Sequence, residues 1–584
     1  MLKDKASQNK AWPAGCRQGS QPMWSQLIRW SQLIRLCLGL SLGLGSGVTA
    51  GLLVSGPARA AEQVRMRYGL YELLITAQDL ESFAQTGEAT GDLSALVSRL
   101  GSERAAQFQA ALQATYDLDP VLANRFAYTR SGEQLLTAVG ELIQTGSGQN
   151  GFKALRAALT LAAGDPEGLS MLSFLEHFPS EMRINIGDML ALAEDYGALL
   201  GQTQQIVEQL VIETEAAAAA PTVDFSQLPD PRLPGEATVS VQTMQLYDAA
   251  RDRTIPLDLY LPGEVSGDVS GEATASLPVV IVSNGLGARR DRFEALGRHL
   301  ASQGFAVALP DHPGSDRARL QDFYQGFESE NFEPGEYIDR PLDVSFVLDE
   351  LTRLNDENFA GRLNPERAGV FGYSFGGTTA LALAGAEIDL EHLRASCETR
   401  SSLFNISLLY QCRALELDEN VVVSAELKDT RVKATYVFVP FSRSLYGPEG
   451  MASVEGPVLW EATDQDILTP FVVEQVPAFS WLTEGGSADD SDRYLTVTAG
   501  LPHARITLEV LGRLTGKGTG NWEEIRAIAD GYHETLSAAF FQVHLAEDER
   551  YQPYLQAEGA EFLSQAPYDL TWTDLSSLGV FIKE

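Results

Sequence analysis

The chain has 584 residues, of which 44% are hydrophobic and 21% charged, a composition that excludes a disordered, collagen-like or multi-spanning membrane protein. Its 79 acidic and 43 basic side chains give a formal net charge of −36, which disfavours binding to nucleic acid. Four cysteines are too few for a disulfide-rich fold or a cysteine-based metal site.

Residues 1–60 have the pattern of a secretory signal peptide. A basic stretch precedes an uncharged run, 36–54, which is followed by Ala58-Arg59-Ala60, a sequence typical of a cleavage site. We therefore expect cleavage after Ala60 and export to the periplasm or the extracellular medium. The alternative is an uncleaved membrane anchor, since the uncharged run is nearly long enough to cross a bilayer.

Residues 61–215 are predicted to form an all-helical domain. Apolar residues recur at the spacing of one helix face, as at Leu93, Leu96 and Val97, and no strand-like alternation of useful length is evident. The next stretch, 216–236, contains four prolines, so we interpret it as a semi-stiff linker.

Residues 237–575 have the pattern of an α/β domain. Two stretches within 239–262 predict antiparallel strands. Continuous apolar runs that end in turn residues, such as 278–285 and 305–312, are typical of parallel strands buried on both faces. Because these runs alternate with amphipathic helices, a mostly parallel sheet flanked by helices is expected. We interpret about 386–431 as a cap insertion.

Ser374 is the candidate nucleophile. It lies in the sequence Gly372-Tyr373-Ser374-Phe375-Gly376, which follows a predicted strand and opens a predicted helix. In a G-x-S-x-G turn the two glycines allow close packing, so that the serine hydroxyl projects above the sheet. The alternative is an ordinary tight turn between strand and helix.

An acid and a histidine are expected to follow the serine in the chain. Asp466 is favoured as the acid because it follows an apolar strand and precedes Pro470 by four residues; Asp464 is the alternative. His503 is the candidate base, because it lies in a loop after a strand, whereas the two later histidines lie on a predicted helix. Asp466 would orient His503, and His503 would take the proton of Ser374.

The oxyanion formed in such a reaction needs two N–H donors. The N–H of Phe375, which follows the serine, is one candidate. The other should come from the loop after the run 278–285, and we nominate Leu286.

Several segments resemble the platelet-activating-factor acetylhydrolase-like α/β hydrolases, bacterial members of which are often described as predicted dienelactone hydrolases. The segments are 283–316, 337–351, 372–377 and 462–470. The resemblance covers about 240–570 and implies an α/β-hydrolase fold and serine-dependent ester hydrolysis without a metal or cofactor. A dienelactone hydrolase usually has a cysteine nucleophile, which Ser374 argues against.

Two further features bear on this resemblance. The family usually has His-Gly where this chain has Asn284-Gly285, a change that leaves the backbone donor in place. The segment 62–190 resembles an uncharacterised helical domain that precedes such hydrolases in cyanobacteria.

We therefore expect an exported carboxylic ester hydrolase whose substrate is a small-molecule or lipid ester. A lipid substrate would involve transient contact with a membrane surface. The alternatives are a thioesterase or peptidase with the same triad, and an inactive scaffold. The domain 61–215 is expected either to cover part of the active-site face or to bind a partner.

Cys397 and Cys412 are predicted to form a disulfide. They are the cysteines that remain after cleavage at Ala60, because Cys16 and Cys37 leave with the signal peptide. Two cysteines in an exported protein tend to pair. The bridge would stiffen the cap insertion; the alternative is two buried free thiols.

Overall fold

The computed structural model describes residues 61–68, 71–219, 222–263, 276–398, 403–483, 492–505 and 521–574. The signal peptide predicted for 1–60 lies outside these residues. Within the described ranges, no helix is both long enough and apolar enough to cross a membrane.

The N-terminal domain consists mostly of helices. The helices are α1 (Ala77–Thr86), α2 (Gly91–Leu100), α3 (Ser102–Gln113), α4 (Pro120–Tyr128), α5 (Arg130–Leu142), α6 (Phe152–Ala163), α7 (Met171–His177) and α8 (Ile186–Ala218). The strands are β1 (Gln63–Tyr68), β2 (Tyr71–Thr76), β3 (Thr115–Tyr116), β4 (Ile143–Thr145), β5 (Leu169–Ser170) and β6 (Met182–Asn185).

The all-helical expectation for this domain needs one correction, because four of these strands form a sheet in the order β2-β1-β6-β4. β1 has the sequence QVRMRY, in which Val64 and Met66 alternate with polar residues. β1 pairs in parallel with β6, more than 100 residues later in the chain. Strands this short give a weak sequence pattern, and the partners that stabilise them are distant.

The hydrolase domain contains the remaining strands and helices. The strands are β7 (Val239–Asp248), β8 (Arg253–Pro262), β9 (Leu277–Ser283), β10 (Ala306–Pro310), β11 (Leu363–Tyr373), β12 (Val432–Phe438), β13 (Val458–Thr463), β14 (Arg493–Thr498) and β15 (Leu570–Asp574). The helices are α9 (Glu294–Ser302), α10 (Arg317–Gln325), α11 (Glu336–Asn358), α12 (Phe375–Ala384), α13 (Leu390–Cys397), α14 (Leu408–Gln411), α15 (Glu419–Ser424), α16 (Arg443–Ala452), α17 (Val476–Ser480), α18 (Trp522–His544) and α19 (Ala557–Leu563).

These strands form one sheet in the described part of the chain, in the order β15-β14-β13-β12-β11-β9-β10-β8-β7. The strands from β10 to β14 in this order pair in parallel, and β7, β8 and β15 are antiparallel to their neighbours. β10, β13 and β14 are buried at every position, and the apolar sequence of β10 predicts this burial.

Helices cover both faces of the large sheet. α9 and α18 pack on one face through residues such as Leu300 and Phe540. α11 and α12 pack on the other through residues such as Leu348 and Leu381. This mostly parallel sheet between two helical layers is the α/β-hydrolase fold predicted from the sequence.

The end of α8 packs against the hydrolase domain. Val207 and Leu210 are buried in the core that α11 and α12 share with the large sheet. The Thr214 hydroxyl accepts a hydrogen bond from the Trp572 N–H of β15 at 3.0 Å. The predicted domain limits near 215 and 236 stay predictions, but this helix joins the two domains through side-chain packing.

α5 of the N-terminal domain contacts the segment predicted to be a cap insertion, about 386–431, which we call the cap. The Ser131 hydroxyl donates to the Leu409 carbonyl of α14 at 3.2 Å, and both residues are buried. The Arg130 N–H donates to the Glu330 carboxylate at 3.0 Å. The Sγ atoms of Cys397 and Cys412 are 2.06 Å apart, so the predicted pair lies at disulfide distance.

Candidate active site

Ser374 lies in the sharp turn between β11 and α12. Its φ angle of 53° is a left-handed conformation that is strained for a residue with a Cβ. The glycines on either side permit the turn: a Cβ at Gly372 would lie 2.2 Å from the Gly376 carbonyl oxygen, and one at Gly376 would lie 1.9 Å from the Ser283 carbonyl oxygen. The Ser374 N–H also donates to the Phe438 carbonyl at 2.9 Å, which ties the turn to β12.

The structure brings Ser374, His503 and Asp466 together at the carboxyl ends of the parallel strands. The Ser374 Oγ and the His503 Nε2 are 3.0 Å apart, and the His503 Nδ1 is 2.6 Å from the Asp466 Oδ2. All three side chains are buried. In the neutral tautomer that suits these contacts, Nδ1–H donates to the carboxylate and Nε2 accepts from the serine hydroxyl.

Asp466 is held as a charged acceptor. Burial acts to raise the pKa of Asp466, but the electrostatic influence of the neighbouring His503 and the hydrogen bonds from His503 and Thr469 outweigh it and hold that pKa below the ordinary value. The N–H groups of Leu468 and Thr469 donate to its Oδ1 at 2.7 and 2.9 Å. The Thr469 hydroxyl donates to its Oδ2. These donors fix the carboxylate in the orientation that reaches His503.

Asp464 has a different contact. Its Oδ1 accepts a hydrogen bond from the Gly500 N–H at 2.7 Å, at the turn that follows β14. That turn leads to His503, so Asp464 supports the loop that carries the histidine. Of the two acids considered in the sequence, Asp466 is the one in contact with the imidazole.

The two nominated oxyanion donors lie on segments in close contact. A Cβ at Gly285 would lie 3.4 Å from the Ser374 Cβ, so the loop after β9 passes beside the serine. The Gly285 carbonyl accepts from the Ala288 N–H at 3.3 Å. Because the C=O and N–H of a trans peptide point in opposite directions, this bond directs the Leu286 N–H away from Ala288. The roles of Leu286 and Phe375 as donors stay predictions.

An aromatic cluster lies next to Ser374 on the side of α11. The Phe375 ring contacts Tyr337 and Phe441 at centroid distances of 5.0 and 5.1 Å, and Phe332 packs against it at 5.7 Å. The Tyr337 hydroxyl donates to the Tyr410 carbonyl of the cap at 2.8 Å. The wall of the site next to the serine is therefore apolar and is tied to the cap.

The cap is also joined to the segment that carries the acid. The Ser407 N–H donates to the Leu468 carbonyl at 2.9 Å, two residues after Asp466. The Gln411 amide donates to the buried Glu474 carboxylate at 3.2 Å, and Glu474 accepts from the N–H of Arg443 at the start of α16. Cys412 follows Gln411 directly, so the Cys397–Cys412 pair is adjacent to this hydrogen-bond network.

Sequence reasoning missed three residues that hold the site together. The Tyr373 hydroxyl donates to the His503 carbonyl at 2.7 Å and supports the histidine loop. The Thr469 hydroxyl donates to the Asp466 carboxylate, a contact that the spacing Asp-x-x-Thr in the sequence could have indicated. Arg340 of α11 donates to the Asn284 carbonyl, a contact between segments 56 residues apart that has no local sequence signal.

The part of the chain described by the structure contains no group of three or more His, Cys, Asp or Glu residues placed to hold a metal ion. His312, outside the triad, is fully buried. It contacts the Ser283 Oγ at 3.0 Å and the Asp343 carboxylate at 2.9 Å. Burial holds the pKa of His312 well below its ordinary value, so this histidine is a neutral bridge behind β9.

Comparison with known families finds two matches. A family described as an alpha/beta hydrolase of unknown function (DUF1400) matches residues 60–185. A family described by its alpha/beta hydrolase fold matches residues 278–390, which include β9 to α12 and therefore Ser374 and the nominated oxyanion loop. Together with the sheet order, these matches show that the chain contains an α/β-hydrolase domain.

Proposed function

We propose that the protein is a serine-dependent carboxylic ester hydrolase in which Ser374, His503 and Asp466 act as a catalytic triad. The observation that carries the proposal is the continuous hydrogen-bonded chain from the Ser374 hydroxyl through His503 to Asp466, on a strained turn at the end of a parallel strand. Such a chain activates a serine hydroxyl that is otherwise a weak nucleophile.

The reaction follows from this geometry. The Ser374 oxygen attacks the ester carbonyl carbon while His503 Nε2 takes the hydroxyl proton, and Asp466 stabilises the imidazolium. The carbonyl oxygen becomes an oxyanion that accepts from the N–H groups of Leu286 and Phe375. His503 then gives its proton to the leaving alcohol, and the acyl group remains on Ser374. A water molecule, activated by His503, releases the acid and restores the serine.

The proposed substrate is a lipid or short-acyl ester. The buried aromatic cluster of Phe332, Tyr337, Phe375 and Phe441 supports this choice, because it makes the surroundings of the nucleophile apolar. The resemblance to platelet-activating-factor acetylhydrolase-like enzymes supports it independently. We also propose that the protein is exported, which the disulfide-distance cysteine pair supports.

Replacement of Ser374 tests the proposal. We expect Ser374→Ala to lower the hydrolysis of p-nitrophenyl esters by at least about 10³-fold and to abolish labelling by a fluorophosphonate probe. Ser98→Ala is the matched control, because Ser98 is exposed in the N-terminal domain. Wild-type protein that neither reacts with the probe nor hydrolyses esters of any chain length would favour an inactive scaffold. Faster turnover of thioesters or peptides would favour the other enzyme classes.

Replacement of the two acids tests the assignment of Asp466. Asp466→Asn should lower kcat by roughly 10²- to 10⁴-fold, because the amide cannot stabilise the imidazolium. Asp464→Asn should change kcat by less than about tenfold, because Asp464 accepts from the Gly500 N–H of the histidine loop, whereas Asp466 is the acid at hydrogen-bond distance from the ring. Steady-state kinetics on one ester decide between them, and a reversed order would assign the acid to Asp464.

A further inference from the structure

A buried cluster of ionisable side chains lies next to the loop that follows β9. We call it the Arg340 cluster, and it consists of Arg253, His312, Glu336, Arg340 and Asp343. Arg253 donates to Glu336 at 2.6 Å and to Asp343 at 2.8 Å. His312 contacts Asp343 at 2.9 Å. Most members of the cluster therefore pair with one another.

Arg340 differs from the other members in its contacts. Its Nη2 donates to the Asn284 carbonyl, two residues before Leu286. The carbon of the same guanidinium lies 4.5 Å from the centroid of the Phe375 ring, within the range of a cation–π contact. Arg340 thus touches the segments that carry both nominated oxyanion donors, and these segments come from different parts of the chain.

We propose that Arg340 is a positioning residue that holds the Leu286 and Phe375 N–H groups in the geometry that stabilises the oxyanion. This inference rests on the proposed function. Oxyanion donors are effective because they are fixed before the reaction begins, so a small displacement of one segment relative to the other weakens both hydrogen bonds to the transition state. The substrate itself does not contact Arg340 in this proposal.

The environment of Arg340 supports a role beyond packing. Its side chain is among the largest that are fully buried, and its Nε and Nη1 atoms have no acceptor in the described part of the chain. A buried, partly unpaired guanidinium costs stability that an apolar side chain of similar size would not. Burial lowers the pKa of Arg340 to about 10, against the opposing charges of Glu336 and Asp343, so the group stays charged at neutral pH.

Three variants on one helix test the inference. Arg340→Met keeps the apolar volume but removes the charge and the donor. Arg340→Lys keeps the charge, but its ammonium lacks the planar face that stacks on Phe375. Arg353→Met is the matched control, because Arg353 lies on the same helix, is exposed and pairs with Glu350. The folded state of each variant is checked by its melting temperature.

The measurements are kcat and KM for p-nitrophenyl acetate and the inhibition constant of a trifluoromethyl ketone. The ketone forms a hemiketal with the serine whose oxyanion occupies the donor site, so its affinity reports on the two N–H groups. Arg340→Met should lower kcat by about 10- to 100-fold, with KM within about threefold of the wild-type value. Its inhibition constant should rise by the same factor by which kcat/KM falls. Arg353→Met should match the wild type.

Arg340→Lys should lose at least about fivefold in both kcat and ketone affinity, and it decides the question if Arg340→Met does not fold. Wild-type values of kcat and ketone affinity in either folded Arg340 variant would overturn the inference, as would a change confined to KM. Failure of the proposed function has a different signature, since the wild-type protein would then show no ester hydrolysis and no probe labelling.

Discussion

The two domains differ in how deeply the strands of their sheets are buried. In the hydrolase domain, β13 and β14 are buried along their whole length, and the start of α12 touches the carbonyl groups at the end of β9. In the N-terminal domain, β4 is partly exposed at all three positions and β6 at three of its four. The central strands of the hydrolase sheet are therefore more deeply buried than β4 and β6 of the N-terminal domain.

This difference has a consequence for function. A turn held by backbone contacts keeps Ser374 and the neighbouring Phe375 N–H in place without help from a substrate. One contact of the N-terminal domain reaches the predicted cap, where the Ser131 hydroxyl of α5 donates to the Leu409 carbonyl of α14. We therefore expect changes in the hydrolase sheet to affect the chemical step and changes in α5 to affect access to the site.

The largest effect is expected from adding one methyl group at the nucleophile turn. In Gly376→Ala the new Cβ would lie 1.9 Å from the Ser283 carbonyl oxygen, so either the helix or the loop must shift. We expect a loss of about 3 kcal/mol or more in the free energy of unfolding, and loss of activity. Thermal unfolding and ester hydrolysis measure the two effects.

Gly201→Ala in α8 is the matched control for this prediction. The space around Gly201 is open within 4 Å, and the residue lies inside a helix. Alanine there should stabilise the helix by roughly 0.5–1 kcal/mol and leave kcat unchanged. Equal tolerance of both substitutions would mean that the two domains do not differ in packing as described.

The sequence predicts the sheet of the hydrolase domain better than the sheet of the N-terminal domain. The buried strands β9, β10 and β13 appear in the sequence as continuous apolar runs, so the large sheet and the positions of Ser374 and Asp466 could be predicted. The sheet of the N-terminal domain could not, because its strands are short and carry polar side chains, and because β1 pairs with β6 more than 100 residues later in the chain.

Within the site, the sequence predicts the residues that belong to a motif, but it does not predict contacts between segments that are distant in the chain. The serine turn is a local pattern, and the order of acid and histidine in the chain is a rule of the fold; together they led to the side chains that the structure brings together. The contact of Arg340 with the Asn284 carbonyl depends on how α11 packs against β9, and that of Tyr373 with the His503 carbonyl depends on a loop 130 residues away. Such contacts follow only from the folded structure.

An intermediate effect on the free energy of unfolding is expected from a substitution in α8, the helix that joins the domains. Leu210 is fully buried against the hydrolase core, so Leu210→Ala should lower the free energy of unfolding by about 3 kcal/mol. Ile212 lies on the same helix but is 58% exposed, and Ile212→Ala should change that free energy by no more than about 0.5 kcal/mol.

Scanning calorimetry shows to which domain α8 contributes. If the end of α8 stabilises the hydrolase domain, Leu210→Ala should lower the temperature of the transition at which probe labelling of Ser374 is lost. A shift confined to a separate transition, with labelling unaffected, would assign the helix to the N-terminal domain and would contradict the packing described above.

The smallest effect is expected at the contact between α5 and the cap. Ser131→Ala removes the hydroxyl that donates to the buried Leu409 carbonyl, which should cost about 1 kcal/mol. The control is Thr137→Ala on the same helix, because the Thr137 hydroxyl is exposed and bonds only within α5, to the Glu133 carbonyl at 2.7 Å. Both substitutions delete one hydroxyl and its hydrogen bond. The difference is that the Ser131 bond joins the two domains, whereas the Thr137 bond lies within α5.

Kinetics with a small and a large ester show what the α5 contact does. If the N-terminal domain covers part of the active-site face, loosening the cap should change KM for p-nitrophenyl dodecanoate by roughly threefold, equivalent to about 0.6 kcal/mol, and leave that for the acetate unchanged. In that case a long acyl chain would have to pass the predicted cap, whereas an acetyl group would reach Ser374 without displacing it. Unchanged KM values for both esters, despite a lower melting temperature, would instead favour a domain that only abuts the hydrolase and serves to bind a partner.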